Sequence, residues 1–168
     1  MTPLVSIIMG STSDLPVMEK AARQLDELAI PFEILALSAH RTPDEVAEFA
    51  RGAEERGVRV IIAGAGMAAH LCGVIASMTP LPVIGVPIKA TLDGMDALLA
   101  IVQMPPGIPV ATVGINGAQN AALLAAQMLS LGDADLMERL KAFKEGLKEK
   151  VVRANADLKE VKYRFKTN

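Results

Sequence analysis

The sequence is poor in aromatic residues and in residues that cross-link or bind metals. Its 168 residues include no Trp, one Tyr, one Cys and two His, and the net charge is −2. This composition offers no stacking platform for nucleobases and no electrostatic attraction to nucleic acid or to an anionic membrane. The single cysteine, Cys72, excludes an intramolecular disulfide and is typical of a reducing cytosol. One cysteine and two histidines are also too few for a structural zinc site, so we expect no bound metal.

Long apolar runs and export signals are absent as well. No apolar run is long enough to span a bilayer. The N-terminus lacks the basic and apolar regions of a signal peptide. We therefore expect a cytoplasmic protein with no membrane partner. The hydrophobic residues make up 51 % of the chain, which is enough to bury a core in one domain.

Short apolar segments alternate with helical patterns along most of the chain. Strands are predicted at 4–9, 32–37, 58–63, 83–86 and 109–113, and helices at 14–29, 43–56, 68–78, 94–102 and 118–131. Pro87 is expected to end the fourth strand, and Gly64–Gly66 to form the turn after the third. Nearly continuous apolar strands between helices indicate an α/β fold with a five-stranded parallel sheet covered on both faces. Ligands should then bind beyond the carboxyl ends of the strands.

The last part of the chain has a different pattern. We predict a compact domain over residues 1–131 and a helical extension over 132–168, whose apolar stripe comprises Leu136, Leu140, Phe143, Leu147 and Val151. The stripe could pack on its own domain, which is the simpler expectation, or on a neighbouring subunit. Tyr163 and Phe165 could serve as anchors in the tail.

The turn Gly10–Asp14 lies between the first strand and the first helix. Free backbone N–H groups and the positive end of a helix dipole suit an anion there, usually a phosphate. Ser and Asp are also preferred helix N-caps, and we expect either Ser13 or Asp14 to be only that. Ser11 adds a further hydroxyl, which is more than a cap requires. An acid such as Asp14 suits ribose hydroxyls better than a phosphate.

The second loop, Ser38–Pro43, follows the second strand. Thr42 is the predicted N-cap, and Glu45 at the third helical position completes a capping box. His40 is a candidate acid or base, because histidine titrates near neutral pH and strand-end loops are common functional positions. Arg41 is either a surface charge or a bidentate phosphate partner. His70 begins an apolar helix, where a packed histidine is at least as expected as a functional one.

Familiar enzyme motifs are incomplete or missing. The segment Gly64–Ala69 resembles a dinucleotide fingerprint but lacks its third glycine, and no acid lies between Glu55 and Asp93 to bind a ribose. No phosphate-loop lysine motif, nucleophile elbow or His-Glu-x-x-His is present. The residues alone therefore predict a binder of a phosphorylated ribosyl or sugar metabolite with one candidate acid/base, and they leave the reaction open.

A family resemblance narrows this prediction. Six segments occur in order and together resemble the class I PurE family, the N5-carboxyaminoimidazole ribonucleotide mutases of bacterial purine biosynthesis. The resemblance covers roughly residues 4–131, and the C-terminal segment matches only in being helical. The segments are Gly10–Asp14, Ser38–Asp44, Ile61–Gly66, Ala68–Leu71, Val102–Pro105 and Asn120–Ala126.

The resemblance implies a three-layer flavodoxin-like fold and a homo-octamer in which the C-terminal helices pack on neighbouring subunits. It also implies a reaction in which a carboxylate moves from the exocyclic nitrogen of an aminoimidazole ribonucleotide to its ring carbon C4, without metal or cofactor. It also implies a functional link to an ATP-dependent N5-carboxyaminoimidazole ribonucleotide synthetase. His40 would be the proton shuttle. Ser11, Ser13 and Arg41 would bind the substrate phosphate, and Asp14 would bind the ribose. Ser38 and the backbone of Ala65 and Gly66 would bind the base and its carboxylate. His70 would line the site.

Three departures from the family pattern concern the pocket. Met67 stands where the family usually has glycine, Cys72 replaces a usual proline, and the segment 89–94 is one residue short. Arg41 favours class I, because the class II enzymes that use free carbon dioxide usually carry lysine there. The alternatives are such a direct carboxylase, a non-catalytic binder of a phosphoribosyl metabolite, and a flavin module, which the lack of aromatic residues disfavours.

Overall fold

The computed structural model describes residues 2–168 and contains one five-stranded sheet. The strands are β1 (Val5–Met9), β2 (Phe32–Ala36), β3 (Val60–Gly66), β4 (Val83–Ile88) and β5 (Ala111–Thr112). They lie in the order β2-β1-β3-β4-β5, and every pairing is parallel. The predicted α/β fold with a parallel sheet is confirmed.

Residues 2–168 contain six α-helices, of which the first five cover the sheet and the last packs on the fifth. They are α1 (Leu15–Glu27), α2 (Pro43–Gly52), α3 (Leu71–Ala76), α4 (Met95–Val102), α5 (Ala118–Ser130) and α6 (Ala134–Glu160). Side chains of β1 alternate between the two faces: Ile7 packs in the cluster under α1 and α5, and Ile8 in the cluster under α2 and α3. This gives the three layers of a flavodoxin-like fold, with a separate core on each side of the sheet.

Two predicted strand ends were wrong. Gly64–Gly66 is not a turn, because β3 continues through it and pairs with Val86–Ile88 of β4. Glycine is needed at Gly64 for packing, since a Cβ there would collide with the Met18 side chain of α1. Pro87 lies inside β4 rather than ending it. The Pro87 carbonyl accepts a hydrogen bond from Asn116 N at 2.8 Å, so the backbone of Pro87 points toward the side of β5. The two residues of β5 that pair with β4 lie opposite Ile84 and Gly85, so the missing N–H of Pro87 breaks no hydrogen bond between these strands.

Helix boundaries also differ from the prediction. Helix α2 ends at Gly52 instead of Arg56, and α3 begins at Leu71 instead of Ala68 because His70 has a left-handed φ of 56°. The capping box at α2 was wrong in its contacts, although Thr42 does stand at the N-cap position. The Thr42 hydroxyl instead accepts from Ser38 N at 2.9 Å and donates to Ser38 O at 3.1 Å, so it braces the preceding loop.

Helix α6 joins the domain through its first half only. Asp133 caps it by accepting from Leu136 N at 2.9 Å, and Leu136 and Leu140 are buried against the domain. Arg139 Nε donates to the Leu28 carbonyl at 3.0 Å and so satisfies the end of α1. The later part of the predicted stripe is exposed, with Val151 63 % accessible. In the chain as described, the extension thus packs partly on its own domain.

Candidate functional site

A cavity of about 400 Å³ opens at the carboxyl edge of the sheet. It lies where the strand order reverses around β1, with β2 on one side and β3 on the other, which is the usual ligand position in such sheets. The loops after β1, β2, β3 and β4 all contribute to its wall. Eight of the residues selected from the sequence line it together: Ser11, Ser13, Asp14, Ser38, His40, Arg41, Ala65 and Gly66.

The loop after β1 is held by Ser11 rather than by Ser13 or Asp14. Ser11 is the N-cap of a short 3₁₀ turn, Thr12–Asp14, and its hydroxyl accepts from Ser13 N at 3.3 Å and from Ser13 Oγ at 2.9 Å. Asp14 stands at the N-cap position of α1, but its side chain makes no capping hydrogen bond. Asp14 thus has the predicted N-cap position of α1 without a capping contact, whereas Ser11 caps the 3₁₀ turn that precedes α1. The Asp14 carboxylate remains available to the cavity.

Asp14 is the one carboxylate on the cavity wall, and its surroundings disfavour its charge. Partial burial raises the pKa of the Asp14 carboxyl above its usual value of 3.8. A hydrogen bond from the Ser11 backbone and the nearby charge of Arg41 lower the pKa and oppose this effect without cancelling it. Because the surroundings of Asp14 disfavour its charged form, this carboxylate does not stabilise the fold, and its position on the cavity wall indicates a role in binding.

Replacing Asp14 by asparagine should raise the thermal stability of the free protein at neutral pH. Because the folded pKa of Asp14 is raised, the folded state binds the Asp14 proton more tightly than the unfolded state. The contribution of Asp14 to stability therefore falls as pH rises from 3.8 through the folded pKa. Asp14→Asn removes this loss, so its Tm should exceed that of wild type at pH 7 and equal it below pH 3.8. Calorimetry across this pH range would measure the difference, and a Tm advantage that persists unchanged at low pH would contradict this explanation.

Arg41 ties the first two loops together. Its Nη2 donates to the Gly10 carbonyl at 2.7 Å, and its Nε and backbone N donate to Ser38 Oγ at 3.3 Å and 3.2 Å. The guanidinium is thus oriented across the end of β1 while most of its remaining N–H groups point to no protein acceptor. An oriented, exposed guanidinium next to the Ser11 and Ser13 hydroxyls has the geometry and charge to bind a phosphate or a carboxylate.

His40 lies on the cavity wall one residue before Arg41. Its side chain is exposed, and it makes no hydrogen bond among residues 2–168. Both ring nitrogens can therefore reach a ligand, one to donate and one to accept a proton. The adjoining loop residue Ser38 is fixed by Thr42, so the backbone that carries His40 is braced even though the imidazole is free.

The opposite wall of the cavity, at the end of β3, is apolar and close-packed. A Cβ on Gly66 would lie 3.2 Å from Ala90 Cβ and 3.4 Å from the Ile88 carbonyl, so no larger side chain fits without a shift. The sequence analysis did not select six further residues that line the cavity: Gly10, Ala39, Met67, Ala69, Leu71 and Ala90. They carry no chemical group to detect. Two of them had been noted without a role in binding: Gly10 as the start of the first turn, and Met67 as a departure from a family pattern.

His70 is the one selected residue that does not line the cavity. Its imidazole lies against Gly73, where a Cβ would collide with the ring. The Nδ1 atom is buried and has no hydrogen-bond partner among residues 2–168. The residues on either side, Ala69 and Leu71, do line the cavity, so His70 is placed to fix the segment that follows β3.

The remaining chemistry-bearing groups lie elsewhere. Burial raises the pKa of the Cys72 thiol to about 12, and its Sγ donates to the Ala63 carbonyl at 3.1 Å, so the thiol is an inert part of the core. Over residues 2–168, no group of three or more His, Cys, Asp or Glu side chains could hold a metal ion. None of the helices in that range is both long enough and apolar enough to cross a membrane.

The fold and the cavity together define a flavodoxin-like α/β protein with a small-molecule site at the carboxyl edge of its sheet. The chain belongs to the AIR carboxylase family, whose model matches residues 4–150. It is 60 % identical to the N5-carboxyaminoimidazole ribonucleotide mutase of Pyrococcus abyssi over 147 residues, which cover 87 % of this chain and 84 % of that protein. The resemblance to the PurE family predicted from sequence motifs is confirmed.

Two further relatives show similarity to a solved structure and to a longer protein. A solved structure of a PurE2 variant from Treponema denticola superposes with a TM-score of 0.86 at 31 % identity, covering 95 % of this chain and all of that one. The phosphoribosylaminoimidazole carboxylase of Schizosaccharomyces pombe is 54 % identical over 161 residues, which are 95 % of this chain but 29 % of that longer protein. The family domain thus occurs both alone and inside larger polypeptides.

Proposed function

We propose that this chain converts N5-carboxyaminoimidazole ribonucleotide to 4-carboxy-5-aminoimidazole ribonucleotide, as a mutase of purine (IMP) biosynthesis. The 60 % identity to the Pyrococcus abyssi mutase over most of both chains supports this activity. The observation that carries the proposal is the composition of the cavity. The polar residues Ser11, Ser13 and Arg41 line the cavity together with His40 and with the apolar end of β3 at Gly66. A ligand with an anionic phosphate and a flat ring fits this polarity.

The phosphate is proposed to bind at the loop after β1. Ser11, Ser13 and the oriented Arg41 guanidinium would donate hydrogen bonds to its oxygens, and a Cβ position on Gly10 meets nothing within 4 Å, which leaves room for the phosphate to approach the backbone. Asp14 would accept hydrogen bonds from the ribose hydroxyls. The two opposite charges of the protein would then contact separate parts of one ligand. The Asp14 carboxylate would bind the ribose hydroxyls, and the Arg41 cation would bind the phosphate.

The base and its carboxylate are proposed to bind between Ser38 and the Ala65–Gly66 backbone. Gly66 presents no side chain, so a flat ring can lie against the strand end, and the tight packing behind it keeps that surface flat. Ser38 Oγ already accepts from Arg41 and has its own proton to donate to a carboxylate. His70 would support this surface by holding the Ala69–Leu71 segment.

His40 is proposed to carry the proton in both halves of the reaction. In the first half, the bond between the exocyclic nitrogen and the carboxylate breaks, carbon dioxide leaves, and the electron pair on nitrogen takes a proton from His40. In the second half, C4 attacks the retained carbon dioxide, the new carbon–carbon bond forms, and His40 takes back the proton that C4 loses. Atoms and charge balance without a cofactor. Removal of water by the apolar wall would favour the loss of carbon dioxide from the charged carboxylate.

The assembly and the setting of the reaction belong to the same proposal. Residues 1–131 form the catalytic domain and residues 132–168 an extension that packs on neighbouring subunits in a homo-octamer in the cytoplasm. Exposed apolar side chains on the second half of α6 and in the tail support this packing: Leu147, Val151, Val152, Leu158, Tyr163 and Phe165. Light scattering should give about eight times the chain mass of 17.7 kDa, and a monomer would contradict this arrangement.

The substrate would come from an ATP-dependent N5-carboxyaminoimidazole ribonucleotide synthetase. An N-carboxylate loses carbon dioxide readily in water, so its formation needs chemical activation and a nearby consumer. The Schizosaccharomyces pombe relative, of which this chain spans 29 %, is long enough to join a second enzyme to this domain. This chain would then act on the product of a separate protein.

A spectroscopic assay of ring-carboxylated product tests the proposed activity. Freshly prepared N5-carboxyaminoimidazole ribonucleotide is supplied without ATP, metal or bicarbonate, and aminoimidazole ribonucleotide with bicarbonate is supplied in parallel. Rapid turnover of the first substrate is expected. Turnover of only the second would identify a direct carboxylase, and tight product binding without turnover of either would identify a binding protein.

A further inference from the structure

Met67 occupies an unusual position at the apolar end of the cavity. It follows the last residue of β3, lines the cavity, and is 55 % exposed. Its φ of 53° lies in the left-handed region, which glycine adopts freely and other residues adopt at a cost. Sequence analysis marked the residue only as a departure from a family pattern and assigned it no role.

Nothing in the fold requires a methionine at this position. The backbone conformation favours glycine, and a side chain that is half exposed gains little from packing in the free protein. The left-handed backbone conformation makes Met67 less favourable than glycine at this position, and the small gain from packing opposes this cost. A contact with a ligand in the cavity would give the side chain a role that it does not have in the free chain.

The surroundings leave Met67 free to move over a bound ring. A Cβ on Gly66 would meet Ala90 and the Ile88 carbonyl within 3.4 Å, so the surface of the strand end beneath the ring has no room for a side chain. Met67 stands at the rim of this wall, and its unbranched thioether has three rotatable bonds that adapt to a flat surface. Among the other cavity residues at this end, Ala65, Ala69 and Ala90 are too short to cover a ligand, and Leu71 is buried.

We propose that Met67 is an apolar cover that folds over the base and its carboxylate and positions them for the reaction. The inference rests on the proposed function for the identity of the ligand. Covering the ring removes water from the carboxylate that leaves and closes the exit for carbon dioxide until C4 attacks it. Met67 is thus a positioning residue that determines how often carbon dioxide is retained.

Three variants separate the side chain from the backbone. Met67→Gly removes both the side chain and the strain, Met67→Ala removes the side chain alone, and Met67→Leu keeps an apolar cover. We expect affinity for 4-carboxy-5-aminoimidazole ribonucleotide to fall about tenfold in the Gly and Ala variants, which corresponds to about 1.4 kcal/mol, with the Leu variant within threefold of wild type. Escape of carbon dioxide, seen as free aminoimidazole ribonucleotide, should rise several-fold in the same two variants.

Oxidation of Met67 gives a second readout that needs no turnover. Dilute hydrogen peroxide should convert exposed Met67 to its sulfoxide in the free protein, and saturating product should slow this conversion at least fivefold. Met95 is 47 % exposed, does not line the cavity, and serves as the internal control in the same mass spectra.

Two outcomes would overturn the cover. One is a Met67→Gly variant with a higher Tm and unchanged product affinity and carbon dioxide escape. The other is oxidation of Met67 at the same rate with and without product. A third outcome separates the two proposals. If product binding slows the oxidation of Met67 but the wild-type protein does not turn over substrate, the proposed mutase activity is contradicted and the proposed role of Met67 as a cover is supported.

Discussion

Replacing His40 by asparagine is expected to lower kcat for the mutase reaction by about a thousandfold. Positioned proton transfer contributes factors of about 10² to 10⁴, and His40 is proposed to act in both proton transfers of one turnover. Asparagine is close in size and remains polar, but it cannot carry a proton. Because His40 makes no hydrogen bond within residues 2–168, the substitution should leave the loop and its Arg41 contacts in place.

Product affinity is the control for this variant. Titration calorimetry with 4-carboxy-5-aminoimidazole ribonucleotide should give a Kd within about threefold of wild type, since the proposed phosphate contacts do not involve the imidazole. A large loss of kcat with intact binding separates proton transfer from binding. If His40→Asn retains a tenth or more of wild-type kcat, another group carries the proton and the assignment of His40 is wrong.

Replacing Arg41 by alanine is expected to raise KM about a hundredfold or more. Hydrogen bonds to a charged group contribute about 1.5–3 kcal/mol each, and the oriented guanidinium can give two of them to a phosphate. The substitution also removes the contacts to Gly10 O and Ser38 Oγ that join the first two loops. Steady-state kinetics should show most of the loss in KM rather than in kcat.

Two companion variants define the origin of this loss. Arg41→Lys keeps the charge but not the planar fork, so its KM should lie between those of wild type and Arg41→Ala. Arg51→Ala removes an exposed arginine on α2 that does not line the cavity and should leave KM unchanged. Equal KM values for Arg41→Ala and wild type would exclude Arg41 from the phosphate site.

The residues that carry chemistry could be predicted because parallel strands end at one edge of the sheet. The apolar runs before Gly10 and Ser38 predicted two strands. Because both strands end at the same edge of the sheet, His40 and Arg41 were expected beside the first loop. The same reasoning failed at Gly64–Gly66, where glycine was interpreted as a turn. The structure shows a buried strand in which Gly64 makes room for Met18, a contact between distant parts of the chain that local patterns do not contain.

The contacts within each loop were beyond prediction for a related reason. Ser11, Ser13, Asp14 and Thr42 are all residues that cap helices, and their propensities alone do not decide which of them does so. In the structure, Ser11 caps the 3₁₀ turn before α1, and Asp14 stands at the N-cap position of α1 without a capping contact. Thr42 likewise stands at the N-cap position of α2, but its hydroxyl binds the Ser38 backbone. The hydrogen bond between Arg41 and the Gly10 carbonyl joins residues 31 positions apart, and it depends on a side-chain rotamer that the sequence does not specify.

Retention of the migrating carboxylate tests the account most directly. N5-carboxyaminoimidazole ribonucleotide labelled with ¹³C in its carboxylate is converted by the wild-type protein in excess unlabelled bicarbonate, and the product is analysed by mass spectrometry. The account predicts that most of the product carries ¹³C at the C4 carboxylate, because the cavity holds carbon dioxide until C4 attacks it. Product containing only unlabelled carboxylate would contradict intramolecular transfer and indicate carboxylation by carbon dioxide from solution.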